Sequence, residues 1–236
     1  MFRHISKIGL EIEGGWFTDK RPVDFKHDSS VRFHRRDFKV RGKEQTRRID
    51  LGEVASRPLE SIAECANWIK TYWPDKKNGT CGFHIHISLK NKLLYSYLMD
   101  KEFNEAFLHS ALMFGRAHRM SRDFFHRLEG KNRYCKKMFK PEEQLYFQHN
   151  HQYTENNPRY AQLNYCFSTH GTVENRLPTG AMPKGKAIRT VEWYVDLVES
   201  YLDKKEDKPI LVQVEGSDEE TEEIDLTNYE FGVNKS

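Results

Sequence analysis

Apolar and polar positions alternate along residues 5–17, and the run breaks at Gly14-Gly15. A period of two marks a strand with one face in a core, so a strand ending in a turn or bulge is predicted there. Residues 50–56 alternate up to Pro58, and residues 80–89 do so again. Two more strands are predicted over residues 159–167 and 172–177, and short ones around residues 31–33 and 38–40. Elsewhere the period changes. Leu59, Ile62, Ala66, Ile69 and Trp73 recur at three- and four-residue spacing until Pro74, which predicts a helix. A longer helix is expected from Asp100, as N-cap, to Leu128, with Gly130 as its stop. A last one spans about residues 186–204, with Ile188, Val191, Val195, Val198 and Leu202 on one stripe. Residues 131–158 are polar, aromatic and Asn-rich and read as loop, as do the turn-rich residues 178–185. This order of elements predicts an α+β fold: a mostly antiparallel β-sheet with helices packed on one face.

Composition narrows the class. A chain of 236 residues can bury a real core, and 13% aromatic residues argue for a folded body. Residues 215–225 hold seven acidic side chains and no basic one, so a folded domain over 1–208 and a solvated, flexible acidic tail over 209–236 are expected. Cys65, Cys81, Cys135 and Cys166 form no C-x-x-C pair, and reduced thiols are expected. No apolar run reaches the roughly 18 residues that span a bilayer. No targeting segment is read at the start, and a soluble, cytoplasmic protein is expected. A net charge of +3 does not call for a nucleic-acid partner.

Side chains alternate faces along a strand. Glu11 and Glu13 therefore share one face of Gly9-Leu10-Glu11-Ile12-Glu13, opposite Leu10 and Ile12. His84, His86 and Ser88 share a face opposite Phe83, Ile85 and Ile87. Glu174 and Arg176 point the same way, and Glu53 pairs similarly with Ala55. Each stripe alone is an ordinary solvated sheet face. His-Ile-His is the strongest single signal, because histidines at i and i+2 on a strand commonly hold a metal. Were all four stripes on one sheet, four carboxylates would repel one another and need cations. Oxygen-rich sites with few nitrogen ligands suit Mg2+ or Mn2+, and such ions beside an arginine suit polyphosphate.

The motifs resemble the amidoligase family in order. They are Ile8-Gly9-Leu10-Glu11-Ile12-Glu13, His27-Asp28-Ser29-Ser30-Val31, Gly52-Glu53-Val54-Ala55-Ser56-Arg57-Pro58-Leu59, Cys81-Gly82-Phe83-His84-Ile85-His86-Ile87-Ser88, Arg159-Tyr160-Ala161-Gln162-Leu163-Asn164 and Thr172-Val173-Glu174-Asn175-Arg176-Leu177-Pro178-Thr179-Gly180. The set covers roughly residues 5–204. That family is related to glutamate–cysteine ligases and glutamine synthetases. The resemblance implies a curved antiparallel sheet of glutamine-synthetase-like fold whose concave face holds ATP and Mg2+. It implies Glu11, Glu13, Glu53 and Glu174 as metal ligands, with His84 as a further one. Arg176 would contact the nucleotide phosphates or the developing charge on the transferred phosphoryl group, His86 the nucleotide or the sheet, and Arg133 and Arg159 a phosphate or substrate carboxylate. The activity implied is ATP-dependent joining of a small-molecule or peptide carboxylate to an amine. The chain departs from the family in having Asp28-Ser29-Ser30 where Asp-Gly-Ser is frequent. It also has the polar Asn175 between Glu174 and Arg176, which places Asn175 against a partner, a loop or solvent.

Two other functions use the same residues. A divalent-metal phosphoesterase or nuclease would also need carboxylates and histidines. A nucleic-acid-binding module would use the basic residues between 32 and 48, with Phe33 and Phe38 stacking on bases. That segment reads more simply as a solvated, salt-bridged hairpin, and His149 and His151 as surface residues of a loop or lid.

Overall fold

The computed structural model describes residues 2–28, 30–33, 37–39, 46–146 and 157–206. The predicted tail over 209–236, and His149 and His151, lie outside the described residues. The strands are β1 (Ile5–Phe17), β2 (Lys26–His27), β3 (Asp37–Lys39), β4 (Thr46–Ala55), β5 (Phe83–Leu89), β6 (Leu163–Cys166) and β7 (Thr172–Asn175). Six of them form one sheet in the order β2-β4-β1-β5-β7-β6, and β3 pairs with the start of β4. Every pairing is antiparallel. The helices are α1 (Ile62–Tyr72), α2 (Tyr95–Leu98), α3 (Lys101–Ala117), α4 (Arg122–Leu128), α5 (Pro141–Tyr146), α6 (Phe167–His170) and α7 (Lys184–Glu206). The α+β class and the antiparallel sheet agree with the pattern in the sequence.

One sheet face is sealed by helices. Ile8, Leu10 and Ile12 of β1 and Phe83, Ile85 and Ile87 of β5 join one buried cluster with residues of α1, α3, α4 and α7. Each such fully buried side chain contributes about 1.5–3 kcal/mol relative to exposure. Ile5 belongs to the same cluster although it lies an odd number of positions, three, before Ile8; the β1–β5 register slips between Ile5 and Lys7, and this bulge returns Ile5 to the core face. A smaller cluster of Val31, Ile49, Leu51 and Cys81 lies apart. Leu51 has the parity of Glu53, so this cluster walls one end of the polar face.

Several boundaries differ from the sequence pattern. The helix expected over 100–128 is two helices, α3 and α4, folded at His118–Ser121, where Arg119 adopts φ +47°. Gly115 lies against the rings of Phe124 and Phe125 at the fold. The apolar period runs on across the break, so only packing of α4 back on α3 reveals it. Gly130 does end α4, at φ +72°. Within the expected loop 131–158, residues 141–146 are helical, with proline first and Glu142 and Glu143 in the first turn. The strand expected at 31–33 is absent, though Val31 is buried. The 159–167 strand begins only at Leu163, after a 3-10 turn over Pro158–Tyr160. Asn175, expected against a partner, a loop or solvent rather than in a tight core, is fully buried, and its Oδ1 accepts the Leu177 N–H at 3.0 Å. All four cysteines are free. Among the described residues no helix is long and apolar enough to cross a membrane.

Candidate functional site

The register brings the four polar stripes together. Glu13 pairs with Glu53 across β1 and β4, and Glu11 with His84 across β1 and β5. Gly9 stands opposite His86, His86 opposite Glu174, and Glu174 opposite Asn164. Cross-strand partners lie side by side on one face. The polar face of the sheet thus carries Glu53, Glu13, Glu11, His84, His86, Glu174 and Asn164 across five adjacent strands.

At its centre is His84, 3% exposed. Its Nδ1 lies 3.0 Å from Glu11 Oε1 and 3.2 Å from Glu174 Oε1. Carboxylates only accept, so Nδ1 carries the proton. Glu13 Oε2 accepts the Gly82 N–H at 2.6 Å. Ligand atoms of Glu11, Glu13 and His84 all lie within 4.8 Å of one another. Two carboxylates and an imidazole at that spacing fit a divalent cation.

The two ends of the face are electrostatically unlike. Burial pushes the Glu53 carboxyl up, and the charges of Glu11, Asp28 and Glu13 add to this, so that it titrates at about 7. Burial raises Glu11 too, but the His84 hydrogen bond and charge outweigh it and hold the group below the ordinary range. Negative charge is therefore in excess around Glu53. Glu174 is already satisfied. Its Oε1 accepts from Arg176 Nη1 at 2.6 Å and its Oε2 from Asn164 Nδ2 at 2.7 Å. Burial opposes its ionisation, yet the charges of Arg176, His86 and His84 keep it ionised well below the usual range. Burial also pushes the His86 imidazole down, and its Nδ1 meets Thr172 Oγ1 at 3.1 Å.

Two adjoining cavities open on this face and share Glu11 and Glu53. The smaller, about 140 Å³, has acid walls from Glu11, Glu13, Glu53 and Asp28, and basic walls from Arg127, Arg159 and Arg176. Asp28 accepts the Ser30 N–H and hydroxyl, each at 2.7 Å. The larger, about 510 Å³, runs over Gly9 between Lys7, Lys26, His86 and His170.

The predicted residues fall into three groups. Glu11, Glu13, Glu53, His84, Arg159 and Arg176 line the small cavity, and His86 lines the large one. Glu174 lines neither; it sits behind His84 as an orienting carboxylate. Arg133 is exposed, its guanidinium 5.6 Å from the Tyr134 ring, and lines neither cavity. The sequence pattern assigns no role to Arg127, nor to Gln162 and Asn164, which stand in the Arg159–Asn164 motif. Arg127 looks like any polar position of an amphipathic helix. Asn164 and Gln162 share a strand-like parity as well, but their partners are set by β7 and α4. Comparisons with protein-family profiles, with curated proteins and with solved structures found no match to the chain.

Proposed function

We propose that the protein is an ATP- and Mg2+-dependent ligase that joins a carboxylate to an amine. The observation that carries this reading is the single face on which Glu11, Glu13, Glu53 and His84 meet Arg176 around one cavity. The residues fit the cation: Glu11, Glu13 and Glu53 line one cavity with His84, and burial together with the charges of Glu11, Asp28 and Glu13 pushes Glu53 toward neutrality. Glu11, Glu13 and His84 would hold Mg2+ or Mn2+, with Glu53 beside them. The cation would neutralise charge on phosphate oxygens.

The chain's own groups then position and screen. Arg176, kept charged by Glu174 despite burial, lines the small cavity and would bind the phosphoryl group there. Glu174 and Glu11 lock the His84 ring. A substrate carboxylate oxygen takes the γ-phosphoryl group and ADP leaves. The amine nitrogen attacks the acyl carbon, the C–O bond to phosphate breaks, and the amine gives up its proton as phosphate departs. No covalent enzyme nucleophile is required; orientation and fixed charge supply the rate. The larger cavity, within the usual ~300–1,000 Å³ for small ligands, has room for the organic substrate.

Calorimetry of ATP binding, with and without Mg2+, on the wild type and Glu11→Gln is the test. Mg2+-dependent binding weakened at least about tenfold in the variant is expected, at roughly 1.4 kcal/mol per tenfold. ADP release should then need both a carboxylate and an amine. Absence of Mg2+-dependent ATP binding by the wild type would overturn the reading. Phosphoester cleavage without ATP would put a metal-dependent hydrolase in its place.

A further inference from the structure

Charge is divided unevenly along the chain. Residues 209–236 hold eight acidic side chains and one basic, while residues 1–208 hold 37 basic and 27 acidic. The net +3 is thus a body of +10 carrying a tail of −7. Seven of the tail's acids fall within residues 215–225. Opposite charges on one chain attract, and the tether makes weak contacts count, because a short connection holds the two at an effective concentration on the order of millimolar. Where the tail begins decides what it can reach. Glu206, the last residue of α7, is tied to the start of β1: its Oε2 accepts from Arg3 Nη2 at 2.6 Å and its Oε1 lies 3.4 Å from His4 Nδ1. Lys7, which lines the larger cavity, follows His4 by three residues, roughly 10 Å at about 3.3 Å per strand residue. The eight residues between Glu206 and Glu215 let the chain span up to roughly 30 Å. The acidic segment therefore reaches the larger cavity.

That cavity has the complementary charge at its outer end. Its floor is small and uncharged, made by Gly9 and Ala55 on the polar face of the sheet. Lys7, paired with Glu60 at the rim, stands at one side, and the exposed Lys26 and His170 at others. Among the described residues Lys26 makes no ion pair. Glu53, its partner across β2 and β4, attracts it without closing such a pair. Glu11 and Glu53 mark the end shared with the smaller cavity. Their charge turns an acidic segment away from that end and toward the lysines. The other open groove, between α3 and α7, sets Glu192 and Asp196 against the single Arg189 and offers the segment no net attraction.

We propose that the larger cavity is the docking site of the chain's own acidic segment over 215–225, held in cis by Lys7 and Lys26. The inference stands on charge and reach and not on the ligase reading. Under that reading the segment fills the space of the organic substrate and competes with it.

The test is zero-length carbodiimide coupling on the full-length wild type, which joins a lysine amine to a carboxylate in contact with it. Peptide mapping should find Lys7 or Lys26 coupled to residues between Glu215 and Asp225 within one chain. Salt at roughly 1 M, where the Debye length is about 3 Å, should suppress the product. Coupling confined to other lysines, or found only between two chains, overturns the proposal. A labelled peptide of residues 215–225 gives a second readout. A full-length variant with the seven acids changed to Gln or Asn should bind this peptide at least about tenfold more tightly than the wild type, whose own segment fills the site. Adding Lys26→Glu to that variant should weaken binding about tenfold. Equal affinity of the wild type and the tail variant would show the site open in cis, and affinity untouched by Lys26→Glu would put the peptide elsewhere; either overturns the proposal. Neither readout uses ATP or turnover, so both survive a failure of the ligase reading. ADP release with the same KM for the carboxylate in the wild type and the tail variant would keep that reading and remove this contact.

Discussion

Gly82 shows how closely single residues are fitted at the site. A Cβ there would lie 2.4 Å from His84 Nε2 and 3.2 Å from Glu13 Oε2. The first distance is a collision with a ring held by Glu11 and Glu174, so the ring must move. Gly82→Ala is expected to weaken Mn2+ binding at least tenfold while leaving the far-UV circular dichroism unchanged; binding titrations on both proteins check this, and equal affinity would show that His84 and Glu13 hold no cation. The residues themselves were legible in part. The shared parity of Glu11 with Glu13 and of His84 with His86 follows from spacing alone. The different fate of Glu174 does not. Its neighbours Arg176 and Asn164 satisfy it, and Asn164 comes from another strand.

Elements carry a second kind of information, about edges and ends. β6 is the last strand of the sheet, and an exposed edge leaves backbone groups unpaired. Gln144 of α5 closes it: its Nε2 donates to the Leu163 carbonyl at 3.2 Å, and its Oε1 accepts the Tyr165 N–H at 2.5 Å. Gln144→Ala should strip both partners from buried groups and cost about 1–3 kcal/mol. A lower urea midpoint and faster hydrogen exchange at Tyr165 would register it; unchanged exchange would mean another group covers the edge. Nothing in the Asn-rich stretch announced this helix except Pro141 and the two glutamates after it. The break between α3 and α4 was hidden more deeply, since the three-and-four spacing continues through it.

At the scale of the whole molecule, charges from separate strands act as one group. Glu53 titrates at about 7 in the fold because burial and the charges of Glu11, Asp28 and Glu13 disfavour its ionised form. Its ordinary value is 4.5, so the folded state holds a proton that the unfolded chain has lost between those two pH values. Protonated Glu53 thus stabilises the fold fully below pH 4.5, and that stabilisation is lost as pH rises through about 7. A cation must displace the same proton. Mg2+ should therefore raise the Tm more at pH 8 than at pH 6, with affinity up to about tenfold weaker at pH 6. Glu53→Gln should flatten this dependence. A thermal-shift series across that range measures it, and an equal Mg2+ effect at both pH values would place Glu53 outside the cation site.

The alternation of apolar and polar residues determined by itself that this chain forms strands with one buried face, because parity is a local property of extended backbone. It also determined which side chains share a face within each strand. Only the tertiary structure decided that these strands are neighbours, with Glu13 beside Glu53 and His84 between Glu11 and Glu174. Pairing and register depend on contacts among segments distant in the chain: Glu13 pairs with Glu53, Glu11 with His84 and His86 with Glu174. The same holds for Arg127. Its burial against the Arg176 and Cys81 carbonyls comes from α4 folding back, a move that no periodicity in the chain records.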